Sequence, residues 1–352
     1  MRGKMNRKRK ITLKDVAHQA GVSTQTVSRV VNNSPDVLPE TRARVQKAIN
    51  KLGYAPNVIA RSLSRGRSNT LGIVGFGLKY FGSTSVLIGI EQATNKYGYS
   101  LILSLLDKFE PSRIDDILNN LLSRQVDGII WAVPGQGQLF EWVSAKVQNL
   151  TIPIVFLNEQ TDENQIVLSV DNRHGGQLAT KHLLERGYQK IGLITGPNNW
   201  WEARERAAGW GSVMQEAGFD PNQLADLKVE GDWSAASGDI GLYRLYEKSP
   251  DIDAVFVSND QMALGALQAA RRLGLSVPQD LGIVGFDDIP EAAYFYPSLT
   301  TIRQNSSELG ILAVKTIHEV IKARHDNVPF APIETQIKPT LIVRKSSKKN
   351  SE

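Results

Sequence analysis

Residues 11–33 read ITLKDVAHQAGVSTQTVSRVVNN, two short helical patterns joined by a glycine. Thr12 stands where a helix needs an N-cap, and Leu13, Val16, Ala17 and Ala20 recur at helical spacing, so the first helix has one apolar face. Gly21 supplies the turn, because only a residue without Cβ takes a left-handed conformation freely. Ser23 is placed to cap a second helix whose Val27, Val30 and Val31 point inward, leaving Thr24, Gln25, Ser28 and Arg29 outward. Short polar side chains at the start of such a helix suit the major groove of duplex DNA, where Gln pairs with adenine and Arg with guanine edges. A third helix fits residues 39–52, with Pro39 near its start, Val45, Ala48, Ile49 and Leu52 inward, and Gly53 just past its end. A generic helical bundle is the blander reading of the same pattern.

Charge separates this head from the rest of the chain. Residues 1–70 hold 15 of the 41 Lys and Arg but 3 of the 36 Asp and Glu, leaving 26 against 33 for the remainder. A basic head on an acidic body fits a phosphate backbone, since Lys and Arg release counterions when they neutralise phosphates. Residues 1–10 carry Arg2, Lys4, Arg7, Lys8, Arg9 and Lys10 with no apolar run behind them, so neither a secretory signal nor a membrane anchor is expected, and the cytoplasm is. With 352 residues, two or three folded units are expected. The absence of cysteine excludes disulfides and zinc fingers, and His174 and His182 read as helix-surface residues rather than metal ligands. No cofactor is expected.

After residues 66–68 the pattern changes to short apolar runs at 71–76, 101–105, 128–133, 154–157, 166–170, 191–195, 254–258 and 282–286, alternating with amphipathic helices. That alternation predicts parallel sheets in a doubly wound α/β architecture, in two subdomains. Ligands of such sheets bind beyond the carboxyl ends of the strands, so the residues following each run are the candidates. They are Asn158, Asp171, Asn259 with Asp260, Asp287 with Asp288, and Arg303 with Gln304. Asp260 and Asp288 read as turn caps rather than ligand contacts. Arg206, in WWEARERAAGW, would donate to hydroxyls, and Trp233, in EGDWSAASG, would stack on the C–H face of a sugar ring or serve as plain core. Gly72, Gly75 and Gly77 do not make a G-x-G-x-x-G fingerprint, and neither a P-loop nor a G-x-S-x-G elbow occurs, so catalysis has little support.

The runs TLKDVA (12–17), AGVS (20–23), TVSRVVN (26–32) and YAPN (54–57), with GDWSAASG, NDQMALGA and GFDD further on, resemble the lactose repressor family of bacterial transcriptional regulators. The resemblance extends to about Arg344. It implies a helix-turn-helix DNA-binding head on a two-subdomain, periplasmic-binding-protein-like body. The expected division is a basic tail at 1–10, the head at 11–56, a hinge helix and linker at 57–67, an effector-binding and dimerisation domain at 68–343, and a basic tail at 344–352. Within the body, one subdomain takes about 68–170 with 304–332 and the other 171–303 with 333–343.

What the resemblance implies for contacts is specific. Thr12, Leu13, Ser23, Thr24, Gln25, Thr26, Ser28, Arg29 and Asn32 would face double-stranded operator DNA. Residues 57–65 (NVIARSLSR) would form the hinge, with Asn57, Ala60 and Leu63 at the minor groove. Asn158, Asp171, Arg206, Trp233, Asn259, Asp287 and Gln304 would hold a small sugar effector, a galactoside or related glycoside, whose binding releases the operator. The pattern departs from the lactose repressor at Asn158, where Asp is expected, at Ala132, where Asn is expected, and near residues 80–83, which leaves the sugar open. Trp200, Trp201 and Glu202 add bulk and charge at the pocket edge, favouring another glycoside or only lining the cleft mouth. The final RKSSKKNSE has no apolar heptads, so a homodimer without a tetramerising coiled coil is expected. A purine or partner-protein co-repressor, or a sugar-binding transport component, are the competing readings. An isolated helix as short as the hinge is marginal in water and should fold only on DNA. Hydrogen exchange across residues 57–65 should therefore slow when operator is added, and equal protection with and without it would refute coupled folding.

Overall fold

The computed structural model describes residues 11–32, 34–54, 67–106, 110–135, 138–148, 150–159, 164–331 and 334–348. The chain divides into two compact units, residues 1–68 and 69–352. The hinge residues Asn57, Ala60 and Leu63 lie outside the described residues, as does the 1–10 tail.

The first unit contains α1 (Leu13–Ala20), α2 (Thr24–Val31) and α3 (Pro39–Leu52) around Val16, Ala17, Val27, Val30, Val45 and Ala48. Thr12 occupies the N-cap of α1, but its hydroxyl and its backbone N–H both donate to the Asp15 carboxylate, at 2.7 and 2.8 Å. Gly21 ends α1 in the left-handed conformation (φ 64°), and Ser23 Oγ accepts the Thr26 N–H at 3.0 Å to start α2. Gly53 (φ 62°) ends α3 in the same way.

The second unit holds two six-stranded sheets. Its first sheet is ordered β11-β5-β4-β3-β1-β2, from β1 (Thr70–Phe76), β2 (Ser100–Leu106), β3 (Gly128–Ala132), β4 (Ile154–Leu157), β5 (Ile166–Val170) and β11 (Glu334–Ile337), all parallel. The other is ordered β12-β10-β9-β8-β6-β7, from β6 (Ile191–Thr195), β7 (Lys228–Glu230), β8 (Ala254–Val257), β9 (Gly282–Asp287), β10 (Thr300–Arg303) and β12 (Thr340–Ile342), with β12 alone antiparallel. Continuous apolar runs such as IVFL and AVFV are buried along their length because helices cover both faces of each sheet.

Two boundaries differ from those read in the sequence. Residues 334–337 pair with β5, so β11 belongs to the first lobe and the chain crosses to the second only between β11 and β12. Nor do residues 344–348 form a tail, since Ser346 and Ser347 are 0% exposed. Ser346 Oγ donates to Ile283 O at 2.6 Å and accepts Thr300 N–H at 2.8 Å, while Ser347 Oγ meets Thr300 Oγ1 at 2.7 Å and His182 Nε2 at 2.8 Å. Every hydroxyl in this polar segment is satisfied, which is how it tolerates burial. His182 is likewise buried rather than on a helix surface, and burial, helped by Arg186, pushes its pKa down to about 4. No described helix is long and apolar enough to cross a membrane.

Three helix pairs of the body pack closely, and each crosses at glycine. They are α4 (Phe81–Tyr97) with α12 (Ser306–His325), α7 (Asn172–Glu185) with α8 (Trp201–Glu216), and α10 (Ala235–Lys248) with α11 (Asp260–Arg272). A Cβ at Gly89 or Gly310, at Gly176 or Gly209, or at Gly238 or Gly265 would collide with backbone carbonyl oxygen of the partner helix. On α8 the contrast is internal: Gly209 lies against Arg173 O, whereas Gly211 has nothing within 4 Å. Gly209→Ala should thus lose about 1–3 kcal/mol by forcing the helices apart. Gly211→Ala should be neutral or gain up to about 1 kcal/mol from helix propensity. Urea unfolding of the two variants checks this, and equal effects would show that the crossing relaxes.

Candidate functional site

In the head, the first turn of α2 exposes Thr24 and Gln25, and Arg29 is exposed one turn on. Ser28 is half-buried beside them, with its Oγ accepting from Asn32 Nδ2 at 3.3 Å. Thr26 turns its hydroxyl to Ser23 Oγ at 2.9 Å, so those two stabilise the helix start. Thr12 is exposed and Leu13 half-buried at the start of α1. The inward positions Val27 and Val30 leave Thr24, Gln25 and Arg29 free of packing duties.

The body contains a cavity at the carboxyl ends of strands from both sheets. Of the seven expected effector residues, it is lined by Asn158, Arg206, Trp233, Asn259, Asp287 and Gln304. Asp171 is the exception: it does not line the cavity but caps α7, accepting the His174 N–H at 2.9 Å. It follows β5, next to the edge strand β11, and its carboxylate is used where the chain enters α7.

Arg206 is the cavity's fixed point. It is 5% exposed, donates Nε–H to Asn172 Oδ1 at 2.8 Å and Nη1–H to Ser258 O at 2.6 Å, and sits 3.9 Å from Asp287 Oδ1. Its guanidinium lies 3.8 Å from the Phe286 ring centroid and 5.5 Å from that of Trp233. Burial lowers its pKa, opposed by Asp287 and Glu202. Asp287 is pushed up to about 6 by burial, against Arg206 and the amide of Gln304, which donates to Asp287 Oδ1. Asn259 caps α11 through Met262 N–H at 2.9 Å and turns its amide to Trp233 O at 3.0 Å, fixing the Trp233 backbone at φ 73°. Asn158 adopts φ 53° and accepts the Val170 N–H on Oδ1 at 3.2 Å.

Apolar surface completes the wall. Trp200 packs edge-on against Tyr80 (5.4 Å between centroids) and Phe76 (6.0 Å) of the first lobe, and against Trp233 (5.6 Å) of its own lobe. Beside it the Trp201 N–H donates to Gly135 O at 2.8 Å, a backbone bond between the lobes.

Strand-end reasoning missed part of this site and over-read another part. Asn172, which orients Arg206, is one residue past the expected Asp171, and Gln261 two past Asn259. Tyr80 lies four residues past the end of β1 and Phe81 opens α4, beyond the positions directly after a strand that the sequence reading took as candidates. Asp260 and Asp288 do not line the cavity, and neither is a turn cap in the expected sense. Asp260 accepts Thr301 Oγ1–H at 2.6 Å and Ile289 N–H at 2.9 Å, while Asp288 pairs with Arg303 (2.7 Å) and Arg344 (2.6 Å). Glu202 is not at the edge but on the wall, 9% exposed, with burial raising its pKa to about 7.

Residues 12–57 match the family model described as bacterial regulatory proteins, lacI family, and residues 180–347 match a periplasmic binding protein-like domain. The HTH-type transcriptional repressor PurR of Haemophilus influenzae is 35% identical over 96% of this chain and 98% of its own length. The lactose operon repressor of Escherichia coli K12 is 34% identical over 86% of this chain and 83% of its own, and the ribose operon repressor of Haemophilus influenzae 34% over 95% and 98%. Among solved structures, a lac repressor dimer bound to operator and the anti-inducer ONPF superposes with a TM-score of 0.85 at 31% identity, covering 96% of this chain and 99% of that one. A complex of the transcriptional regulator CelR with cellobiose gives 0.71 at 28% identity, over 96% and 99%. These likenesses run through the head and both lobes, and the protein belongs to the lacI family of bacterial regulatory proteins: it is a transcriptional repressor with a helix-turn-helix DNA-binding head and a periplasmic-binding-protein-like body.

Proposed function

We propose that this repressor acts as a homodimer on a near-palindromic operator and is released from it by a small saccharide, a galactoside or related glycoside, held in the cavity of the body. The observation that carries the reading is the pairing, in one cavity, of a hydrogen-bonding set with an aromatic wall. Arg206, Asp287, Gln304 and Asn259 form the set, and Trp233, Trp200, Tyr80 and Phe81 the wall. A sugar presents the matching surfaces, hydroxyls around its rim and C–H groups on its faces. The lactose and ribose operon repressors among its relatives support the same class.

Contacts from both lobes make the cavity sensitive to closure. Gln304 sits where β10 of the second sheet leads into α12, which packs on the first, so its bond to Asp287 reports the relation of the lobes. A ligand that favours one lobe arrangement over another shifts operator affinity by the same factor by which operator shifts ligand affinity. Such coupling is ordinarily worth about 1–3 kcal/mol. The DNA-facing set on this reading is Thr24, Gln25, Ser28 and Arg29, with Thr12, Leu13, Ser23, Thr26 and Asn32 supporting it and Asn57, Ala60 and Leu63 in the hinge. A purine effector is the second reading, favoured by the PurR relatives and by an aromatic wall that would stack a flat base.

Operator binding measured by anisotropy at fixed salt, with and without a panel of galactosides, glucosides and purines, tests the effector class. Arg206→Ala should keep operator affinity and lose release by the effector, and normal release in that variant would show the pocket to be elsewhere. Gln25→Ala or Arg29→Ala should weaken specific operator binding by about 1–3 kcal/mol while leaving effector binding unchanged. Retention of full specificity by both variants would move the recognition surface off α2.

A further inference from the structure

Glu202 lies in the first turn of α8, on the cavity wall, and its Oε2 has no hydrogen-bond partner. A buried polar atom without a partner costs free energy, so its place beside a cavity points to a partner that arrives with the ligand. Trp233, on the same wall, has an indole Nε1–H in the same condition. Behind Glu202, Glu159 is 2% exposed with its own Oε2 unpaired, and burial together with the nearby Glu202 carboxyl raises its pKa well above the usual range.

Positive charge is scarce around the cavity. Among the described lining residues Arg206 is the single cation, facing the acids Glu202 and Asp287, and the nearby Glu159 is held toward its neutral form by burial. Its charge is already engaged, by the Asp287 carboxylate at 3.9 Å and by the acceptors Asn172 Oδ1 and Ser258 O. Two other cations stand outside the wall: Lys79 lies 5.1 Å over the Tyr80 ring, and exposed Arg204 donates to Asn198 O at 3.3 Å. The helix N-termini on the lobe of Glu202 offer an anion no relief either, whereas those of α4 and α12, which also border the cavity, carry no side-chain cap. At α8 the Trp201 N–H is bonded to Gly135 O and Glu202 sits in the first turn, while α11 is capped by Asn259.

From these observations we infer that Glu202 is a specificity-determining residue of the effector site: it accepts a hydrogen bond from a hydroxyl of an uncharged saccharide and, with Asp287, bars phosphorylated and other anionic sugars. The inference rests on the saccharide reading above and adds the charge class of the ligand. A sugar phosphate would bring a further negative group beside two desolvated acids and one engaged guanidinium. In a site of low dielectric like charges repel strongly, so admitting it requires both acids, which burial has already raised to about 7 and about 6, to be held in their neutral forms. A neutral disaccharide meets neither obstacle and satisfies the unpaired carboxyl oxygen.

Calorimetry on the full chain with lactose, cellobiose, lactose 6′-phosphate, cellobiose 6′-phosphate, hypoxanthine and guanine tests this. The parent protein should bind at least one neutral disaccharide and bind the matching phosphate at least about a hundred-fold more weakly. Glu202→Gln keeps an acceptor but removes the charge, so it should narrow that gap by about ten-fold or more, chiefly through tighter phosphate binding. Glu202→Ala, which removes the acceptor, should weaken the neutral disaccharide by about ten-fold. Thermal melts near that of the parent show that both variants are folded. Equal binding of a disaccharide and its phosphate by the parent, or an unchanged ratio in Glu202→Gln, would overturn the role of Glu202 while leaving the saccharide reading in place. Binding of a purine without any disaccharide, or of no member of the panel, would overturn the saccharide reading itself.

Discussion

The crossing of α7 and α8 at Gly176 and Gly209 is the constraint on which the cavity of the body depends. A Cβ at Gly176 would strike the carbonyl oxygen of Arg206, and one at Gly209 that of Arg173. Each helix therefore seats a glycine against the other's backbone, and Arg206 is part of that seam. Its side chain reaches Asn172, on the first residue of α7, and Ser258, past the end of β8, because its backbone is held this close to both. A helix pair spaced by ordinary side chains would lie further apart, and the guanidinium would lose the two acceptors that offset its burial.

From that point the charge arrangement follows. A buried guanidinium must be neutralised, and Asp287, from the end of β9, does this from a backbone at φ 118°. The Phe286 ring, 3.8 Å away, gives the guanidinium a second favourable neighbour through its π-face. Gln304 then bonds to the same carboxylate from one of the strands of chain that join the lobes, and Asn172 occupies another. The residues that fix the cation thus stand at lobe crossovers. Any ligand that competes for Asp287 or Arg206 acts on the joints of the body as well as on its wall.

The head was legible in the sequence because its signals are local. A cap, a three-to-four spacing and a glycine each declare themselves within a few residues, and α1, α2 and α3 begin and end where Thr12, Gly21, Ser23, Pro39 and Gly53 say they should. The strands of the body were legible as apolar runs, and looking just beyond them found Asn158, Asn259, Asp287 and Gln304. The same rule cannot separate a residue facing the cleft from one consumed by its own fold. Asp171, Asp260 and Asp288 follow strands and Arg303 ends one, yet a helix cap, a threonine hydroxyl and two arginine pairs use them up. Burial of Ser346, Ser347 and His182 was hidden for a related reason, since their hydrogen-bond partners come from positions 46 to 165 residues away in sequence.

Asn158 shows how one change in residue type moves recognition across the cleft. The Val170 N–H requires an acceptor, so the hydrogen-bond network assigns the carbonyl Oδ1 of Asn158 to it and leaves the amide Nδ2 for the cavity. An Asp there, the residue of the lactose repressor pattern, would satisfy Val170 equally well and present a second acceptor to the ligand. With Asn158 that acceptor is replaced by a donor on the first lobe. Glu202 restores an acceptor on the second lobe, on a different element and facing from the other side. A saccharide bound as proposed would find its acceptor on α8 rather than at the end of β4. On the saccharide reading proposed above, the first lobe offers a donor at Asn158 and the second an acceptor at Glu202.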